Sequence, residues 1–551
     1  MAGRDGGKRS RSGCITCKIR RVKCDESRPE CTRCVQAGRT CDGYVSSTQP
    51  HQSRRALADA VRQLPIAGPA SRLLGEPVLA DDAACFDFFR HCTAGMTGSV
   101  LPGAQFWGRQ LLQAAHSERA VWRVAVALGA LHRRWEHSNS RTSAAAAVRQ
   151  RDGNDAIASF TQQAASHYYG AISLAKAVQD PATLAVVSAA LAAAAHLAGL
   201  WAESQVHIHA GLRLLQDMQT PTIEARAMPA DEVEGIAQSL ERLDLQAMLF
   251  EDSREPYDYQ GMPDFVGVIR APAWDGVELR DISEAALVVF RLVRHLLIVG
   301  TAAERGVITL RGLEAANSRL VEDAARWEMA LAVLLAQTGA KDGVRERSMV
   351  LSMRLYHITL VVCLTAGVAG PETRWDACLP LFERIVALAD EIARNTHSPL
   401  AFFMSLEPGI AAPLFVVAVR CRHPIVRRRA LNLLSTLNRQ EGIWNCGLTG
   451  RVAEQCVMWE EEGLGIQLPL RAHHDDLDLV SAPETANVPV VVDADGYSPV
   501  WPWGWPNVPE PKRVLQTSLI ARVDTGILDL TMYAAGNDGL GIVTKTASLE
   551  M

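Results

Sequence analysis

The chain is poor in aromatic residues, has few cysteines beyond its first 41 positions, and lacks any apolar stretch at its start. Phe, Trp and Tyr make up 6% of its 551 residues. Residues 1–12 (MAGRDGGKRSRS) are polar and basic, which excludes the apolar core of a secretion signal. The expected compartment is therefore reducing, where clustered thiols serve as metal ligands or catalysts rather than disulfides. Catalytic signatures are missing too. There is no G-x-G-x-x-G, no G-x-x-x-x-G-K-[ST], no H-E-x-x-H and no G-x-S-x-G, so no enzyme is indicated. One run mimics a membrane span: residues 182–202 hold no Asp, Glu, Lys or Arg over 21 positions. Ten of them are alanine, which contributes little transfer free energy yet is the best helix former. A buried helix of a soluble domain is expected there, and no membrane partner.

What is present is unevenly placed. The hydrophobic share of 48% suffices for a sizeable core, and the length suggests about three or four units. The formal charge of −5 hides a division: residues 1–44 carry eleven Lys/Arg against five Asp/Glu, a net of +6, so the remainder sums to −11. A small basic head on a large acidic body points to a polyanionic partner for the head.

Composition separates the chain into a basic arm (1–12), a cysteine-rich head (13–44), a linker (45–79), an Ala/Leu/Val-rich region (80–470) and a C-terminal segment (471–551). The linker mixes Ser, Gln, Pro and Gly without a sustained apolar period. In the large region, Leu320, Ala324, Trp327, Leu331 and Leu334 recur at four-three spacing, one face of a helix. Val289, Leu292, Val293, Leu296 and Leu297 do the same behind Asp281 and Glu284, which have capping-box spacing. No β-alternation of comparable length occurs, so a large all-α domain is expected. From Ala472 to Pro511 there is no Lys or Arg, while seven Asp/Glu give −7. Tyr497, Trp501, Trp503 and Trp505 are interleaved with prolines there. The C-terminal segment is thus expected to be irregular, acidic and Pro/Trp-rich. It is either free to dock on a coactivator or packed on the helical body.

Six of the thirteen cysteines are Cys14, Cys17, Cys24, Cys31, Cys34 and Cys41, spaced C-x2-C-x6-C-x6-C-x2-C-x6-C. A C-x2-C pair lets two thiolates reach one tetrahedral zinc from a single turn. Two separate four-thiolate zincs would need eight cysteines. Six suffice for two Zn2+ only if two of them bridge both metals. Between Cys17 and Cys24 stand Lys18, Arg20, Arg21 and Lys23, four basic residues in six, whereas the matching stretch of the second half has one. Only the first half would present a positive helix end to a DNA major groove.

Residues 13–44, GCITCKIRRVKCDESRPECTRCVQAGRTCDGY, resemble the fungal Zn(2)-C6 binuclear zinc cluster transcription factors. They share the spacing, the basic first half and the proline before the fourth cysteine. The resemblance implies that Cys14 and Cys31 bridge, that Arg20 and Arg21 read bases of a GC-rich triplet of the CGG type, and that Lys18 and Lys23 touch phosphate. It further implies a nuclear, zinc-dependent, DNA-binding transcription factor with two Zn2+, double-stranded DNA and the transcription machinery as partners, and no catalysis. Residues 80–470 resemble, more weakly, the regulatory domain that follows the cluster in this family, through AVALGALHRR (125–134) and IWNCGLTGRVAEQCVMWEEEGL (443–464). A homodimer is usual for the family, but residues 45–79 sustain no heptad and contain four prolines, which argues against a coiled coil there. The competing expectation is an enzyme or ligand-binding helical protein with an appended structural zinc module. His207 and His209 are expected to be core or surface histidines, and the seven later cysteines buried fillers.

Overall fold

The structure is a computed structural model that describes residues 24–27, 31–37, 41, 78–97, 101, 105–140, 150–218, 230–250, 257–262, 265–270, 273–274, 276, 278–338, 344–367, 370–396, 402–466, 468–471, 501, 505–522, 526–535 and 541–550. It divides into two compact units, Met1–Ser71 and Arg72–Met551. In the first, one short helix, α1 (Thr32–Gln36), is described. The second is mostly helical, as its composition predicts.

The body's first core surrounds α4. Helix α2 (Ala80–Phe88) continues through a π turn at Phe89–Thr93, and α3 (Leu111–Ser117) leads into α4 (Arg119–Ser140). Helices α5 (Gln150–Ala175) and α6 (Pro181–Ala198) pack on α4, and α7 (Trp201–Met218) packs on α6. Gly129 permits the approach of α2 to α4, since a Cβ there would stand 2.0 Å from the Cys85 carbonyl oxygen. The alanine-rich run is α6. Asp180 caps it by accepting from the Thr183 N–H at 2.9 Å, Pro181 opens it, and Gly199 closes it in the left-handed region (φ 76°). By length and composition α6 could cross a membrane, as could two later helices, but most of each is buried within the body.

After α8 (Ala230–Leu249) and the short α9 (Phe265–Arg270), a second core forms among α10 (Ile282–Glu304), α11 (Leu310–Thr338) and α12 (Val344–Ala366). Both predicted stripes meet in it, with only Leu297 half-buried. Asp281 caps α10 by accepting from the Glu284 N–H at 2.9 Å. Glu284 reaches back one residue further than the capping box has it, accepting from the Arg280 N–H at 2.6 Å.

The third core gathers a 3-10 turn (Glu372–Cys378), α13 (Leu379–Thr396), α14 (Ala411–Arg420), α15 (Pro424–Thr436) and α16 (Cys446–Glu461). Two small sheets fall outside the all-α and irregular expectations for their regions. Strands β1 (Phe403–Ser405), β2 (Arg439–Glu441) and β3 (Trp444–Asn445) form a parallel–antiparallel trio. Strands β4 (Val514–Arg522), β5 (Ile527–Ala535) and β6 (Ile542–Glu550) form an antiparallel meander. The meander exists because β5 alternates: Leu528, Leu530, Met532 and Ala534 are buried, the first three of them in the third core.

Buried charge fastens this meander. Arg422 is wholly buried and reaches Glu372 at 3.1 Å and Glu460 at 3.0 Å. Glu460 also accepts from Arg427 and, at 2.7 Å, from the Val514 N–H at the start of β4. Arg513 grips Asp376 with two bonds of 2.7 Å. Glu510, counted above in the acidic stretch, accepts from the Glu372 and Thr373 N–H groups at 2.6 and 2.9 Å. Trp501 and Trp505 are buried in the same core. These two tryptophans are therefore packed rather than free, because the apolar face under the meander needs covering. Tyr497, Trp503 and residues 472–500 lie outside the described residues.

Candidate metal centre and nucleic-acid interface

Four of the six head cysteines are described, and the chain folds so that their sulfurs converge. The backbone at Cys31 is extended (φ −75°, ψ 137°) and then enters α1, whose first free N–H groups need acceptors. Cys31 Sγ accepts from the Cys34 N–H at 3.3 Å. Asp25 caps the same turn: the Thr32 N–H donates to Oδ2 at 3.0 Å and the Arg33 N–H to Oδ1 at 3.1 Å. Hydrogen bonds from Ser27 and Thr32 hold the Asp25 carboxyl far below the usual carboxylate range. The chain makes this reversal at Glu26, whose φ of 61° is left-handed, and the Glu26 N–H donates to Cys24 Sγ at 3.4 Å.

The sulfurs of Cys31, Cys34 and Cys41 lie within 4.8 Å of one another, and Cys31 also belongs to a second such group with Cys24 and Asp25. A tetrahedral zinc with bonds of about 2.3 Å sets its sulfurs about 3.8 Å apart, a spacing these groups can reach. Backbone N–H donation, including that of Cys31 to Cys41 Sγ at 3.4 Å, favours the thiolate form. Soft thiolates in such number suit zinc, so the donor set fits that metal. Among the described residues the core of the head consists of Cys24, Cys31 and Cys34, with Cys41 packed against them. With so little hydrocarbon to bury, metal binding has to supply the folding free energy.

Cys14, Cys17, Lys18, Arg20, Arg21 and Lys23, where the sequence places the other two thiols and the base- and phosphate-contacting cations, lie outside the described residues. The capping role of Asp25 was not foreseen. Its only sequence signal is a carboxylate a few residues ahead of a short helix. In the body, the remaining candidates resolve into structure. His207 pairs with the Tyr168 hydroxyl at 2.8 Å, and His209 with that of Tyr257 at 3.0 Å. Burial pushes the thiols of Cys421 and Cys456 up to about 12 and that of Cys363 to about 11, which disfavours the thiolate form. The cluster of Arg422, Arg427 and Arg428 was missed because a basic run reads as a solvated face.

Residues 12–51 match the family described as the fungal Zn(2)-Cys(6) binuclear cluster domain. The aspercryptin biosynthesis cluster-specific transcription regulator of Emericella nidulans is 25% identical over 83% of this chain and 88% of its own length. A transcription regulator of Purpureocillium lilacinum is 31% identical over 24% of this chain and 32% of its own. An uncharacterized transcriptional regulatory protein of Schizosaccharomyces pombe is 39% identical over 13% of this chain and 12% of its own. No solved structure matches the chain.

Proposed function

We propose that this chain, which carries a fungal Zn(2)-Cys(6) binuclear cluster domain, is a nuclear, sequence-specific, DNA-binding transcription factor and not an enzyme. Cys14, Cys17, Cys24, Cys31, Cys34 and Cys41 hold two Zn2+, with Cys14 and Cys31 shared between them. When bound, zinc supplies structure alone: it fixes the head so that Lys18, Arg20, Arg21 and Lys23 face the major groove. Arg20 and Arg21 read guanines of a CGG-type triplet, the commonest specific contact for arginine. Lys18 and Lys23 hold the phosphates, which positions without specifying. The helical body then regulates, with coactivators and a second copy of the chain as its candidate partners.

The observation that carries this reading is the position of Cys31, whose sulfur lies within 4.8 Å of the Cys34 and Cys41 sulfurs in one group and of the Cys24 sulfur and an Asp25 carboxylate oxygen in another. A six-cysteine site for two metals requires such a sharing. Metal analysis of the full chain should return two zincs, and mobility shift on triplet-containing DNA should vanish with chelator. Cys31→Ser should abolish the shift. One zinc per chain, or DNA binding retained in that variant, refutes the binuclear reading.

A further inference from the structure

A cavity of about 170 Å³ opens where the turn leading into α3, the first turns of α8 and the start of α10 meet. It has room for a few heavy atoms, less than a drug-sized ligand takes. Its walls are acidic. Glu234 of α8 and Asp281 and Glu284 at the start of α10 stand against one cation, Arg280, so three carboxylates and one guanidinium sum to −2. Arg280 is already engaged. Its Nε reaches Glu284 at 3.1 Å, its backbone N–H donates to the same carboxylate at 2.6 Å, and its side chain is 74% exposed. Gly235 lets the turn approach α8, because a Cβ there would stand 2.8 Å from both amide atoms of Gln110.

Gln238 shows what the cavity lacks. The residue is 6% exposed, and its Nε2 donates to Glu234 Oε1 at 3.2 Å. Its Oε1 accepts from no described residue, yet that oxygen is not sealed from water, so it opens into the cavity it lines. An amide oxygen left without a donor in a largely buried side chain is destabilising, and a ligand N–H would relieve it. Three further oxygens are open in the same way. One oxygen of Glu234, Asp281 and Glu284 takes the bond from Gln238, from the Glu284 N–H and from Arg280 respectively, and the second oxygen of each meets no donor among the described residues. The Ser283 hydroxyl can serve either way, and Gln105 is exposed at the rim. Gln110 offers nothing, since its Nε2 donates to the Glu232 carbonyl at 3.3 Å and its Oε1 is sealed. The occupant must therefore bring donors and positive charge. A metal ion does not fit: the described groups that bring three ligand atoms within 4.8 Å of one another lie in the head, not here. An anion would face three carboxylates.

We infer that this cavity binds a small organic ammonium cation, whose N–H groups donate to Gln238 Oε1 and to the carboxylates of Glu234 and Asp281. Such a cation ties α8 to the start of α10. The inference concerns the body alone and does not rest on the DNA-binding reading.

Equilibrium dialysis of labelled 1,4-diaminobutane against the full, zinc-loaded chain tests it, at about 0.15 M salt, where attraction between exposed charges is screened beyond about 8 Å. Saturable binding of one diamine per chain is expected. Neither 1,4-butanediol, which is as long but uncharged, nor Mg2+ at equal concentration should displace it. Gln238→Met keeps a side chain of similar volume and removes the amide oxygen. It should weaken binding about tenfold, the effect of losing one hydrogen bond to a charged group. Glu234→Gln should weaken it by a similar factor. Glu314→Gln removes the same charge from α11 at the other end of α10, where Leu313 packs on Val299, and should leave binding unchanged. Circular dichroism confirms the fold of each variant, and should Gln238→Met misfold, the comparison of the exposed Glu234 and Glu314 decides. The inference is overturned by unsaturable binding, by equal affinity in Gln238→Met and the parent, by equal losses in Glu234→Gln and Glu314→Gln, by displacement with Mg2+, or by inorganic phosphate binding in place of the diamine.

Discussion

At Cys31 one side chain combines two roles that substitution can separate. Its sulfur caps α1 and lies within 4.8 Å of the sulfurs of Cys24, Cys34 and Cys41. Serine is itself a favoured cap, so Cys31→Ser keeps the helix start and removes only the soft ligand. Asp25→Ala is the reverse experiment, leaving every thiol in place and taking two acceptors from the first turn of α1. That variant should still load zinc but release it faster to a chelator, read as the rate of metal transfer to a chromophoric dye. An unchanged rate would confine Asp25 to a passive surface role. The cations divide in the same way. Arg21→Ala should cost roughly 1–3 kcal/mol on cognate DNA and relax preference at one base. Lys23→Ala should weaken all sequences about equally and lower the salt slope by about 1. If both variants weaken cognate and scrambled DNA by one common factor, the division between reading and anchoring fails.

Among the elements, those with a long period were legible and those with a short one were not. The α11 stripe from Leu320 to Leu334 and the Asp281 cap of α10 could be read directly, because a helix of 29 or 23 residues repeats its apolar face several times. The β1–β3 trio could not, as strands of three, three and two residues carry no period. The meander was legible in principle: ILDLTMYAA alternates along β5. The acidic, proline-rich stretch before it masks that period, because its composition dominates the C-terminal segment. For the site, cysteine spacing points to six thiols, of which the four described converge, but the Asp25 cap depends on a left-handed turn at Glu26 that no spacing encodes. Leu530, fully buried at the centre of β5, measures what the meander contributes. Leu530→Ala should destabilise the body by about 2–5 kcal/mol in urea unfolding. An effect below about 0.5 kcal/mol would mean that the meander folds apart from the third core.

Across the whole molecule, stability is tied to pH through groups that burial forces into one protonation state. Burial lowers His196 to about 3 and His207, His295 and His423 to about 4, all from 6.5. Each is neutral when folded and takes up a proton more readily when unfolded. Their contribution is therefore complete above pH 6.5 and is lost as pH falls toward 4 and 3. Glu460 adds a second stage. Burial alone would raise its carboxyl, but the guanidinium groups of Arg422 and Arg427 outweigh that and hold it at about 2, below its ordinary 4.5. A depressed carboxylate stabilises the fold above pH 4.5, and this contribution disappears as pH falls toward 2. Both stages have the same sign, so the body should lose stability on acidification in two steps, the first from the histidines and the second from the charge cluster that fastens β4. The variants separate them. His196 has both ring nitrogens buried with no hydrogen-bond partner among the described residues, so His196→Leu should raise stability by about 1–3 kcal/mol and flatten the step between pH 6.5 and 3. Glu460→Gln leaves Arg422 and Arg427 without their shared carboxylate and should cost about 3–5 kcal/mol at neutral pH, while abolishing the step below 4.5. Thermal unfolding from pH 8 to 3 reads both steps. A single transition midpoint that is level between pH 7 and 5 in the parent chain would refute the histidine stage, and a Glu460→Gln curve parallel to the parent below pH 4.5 would refute the second.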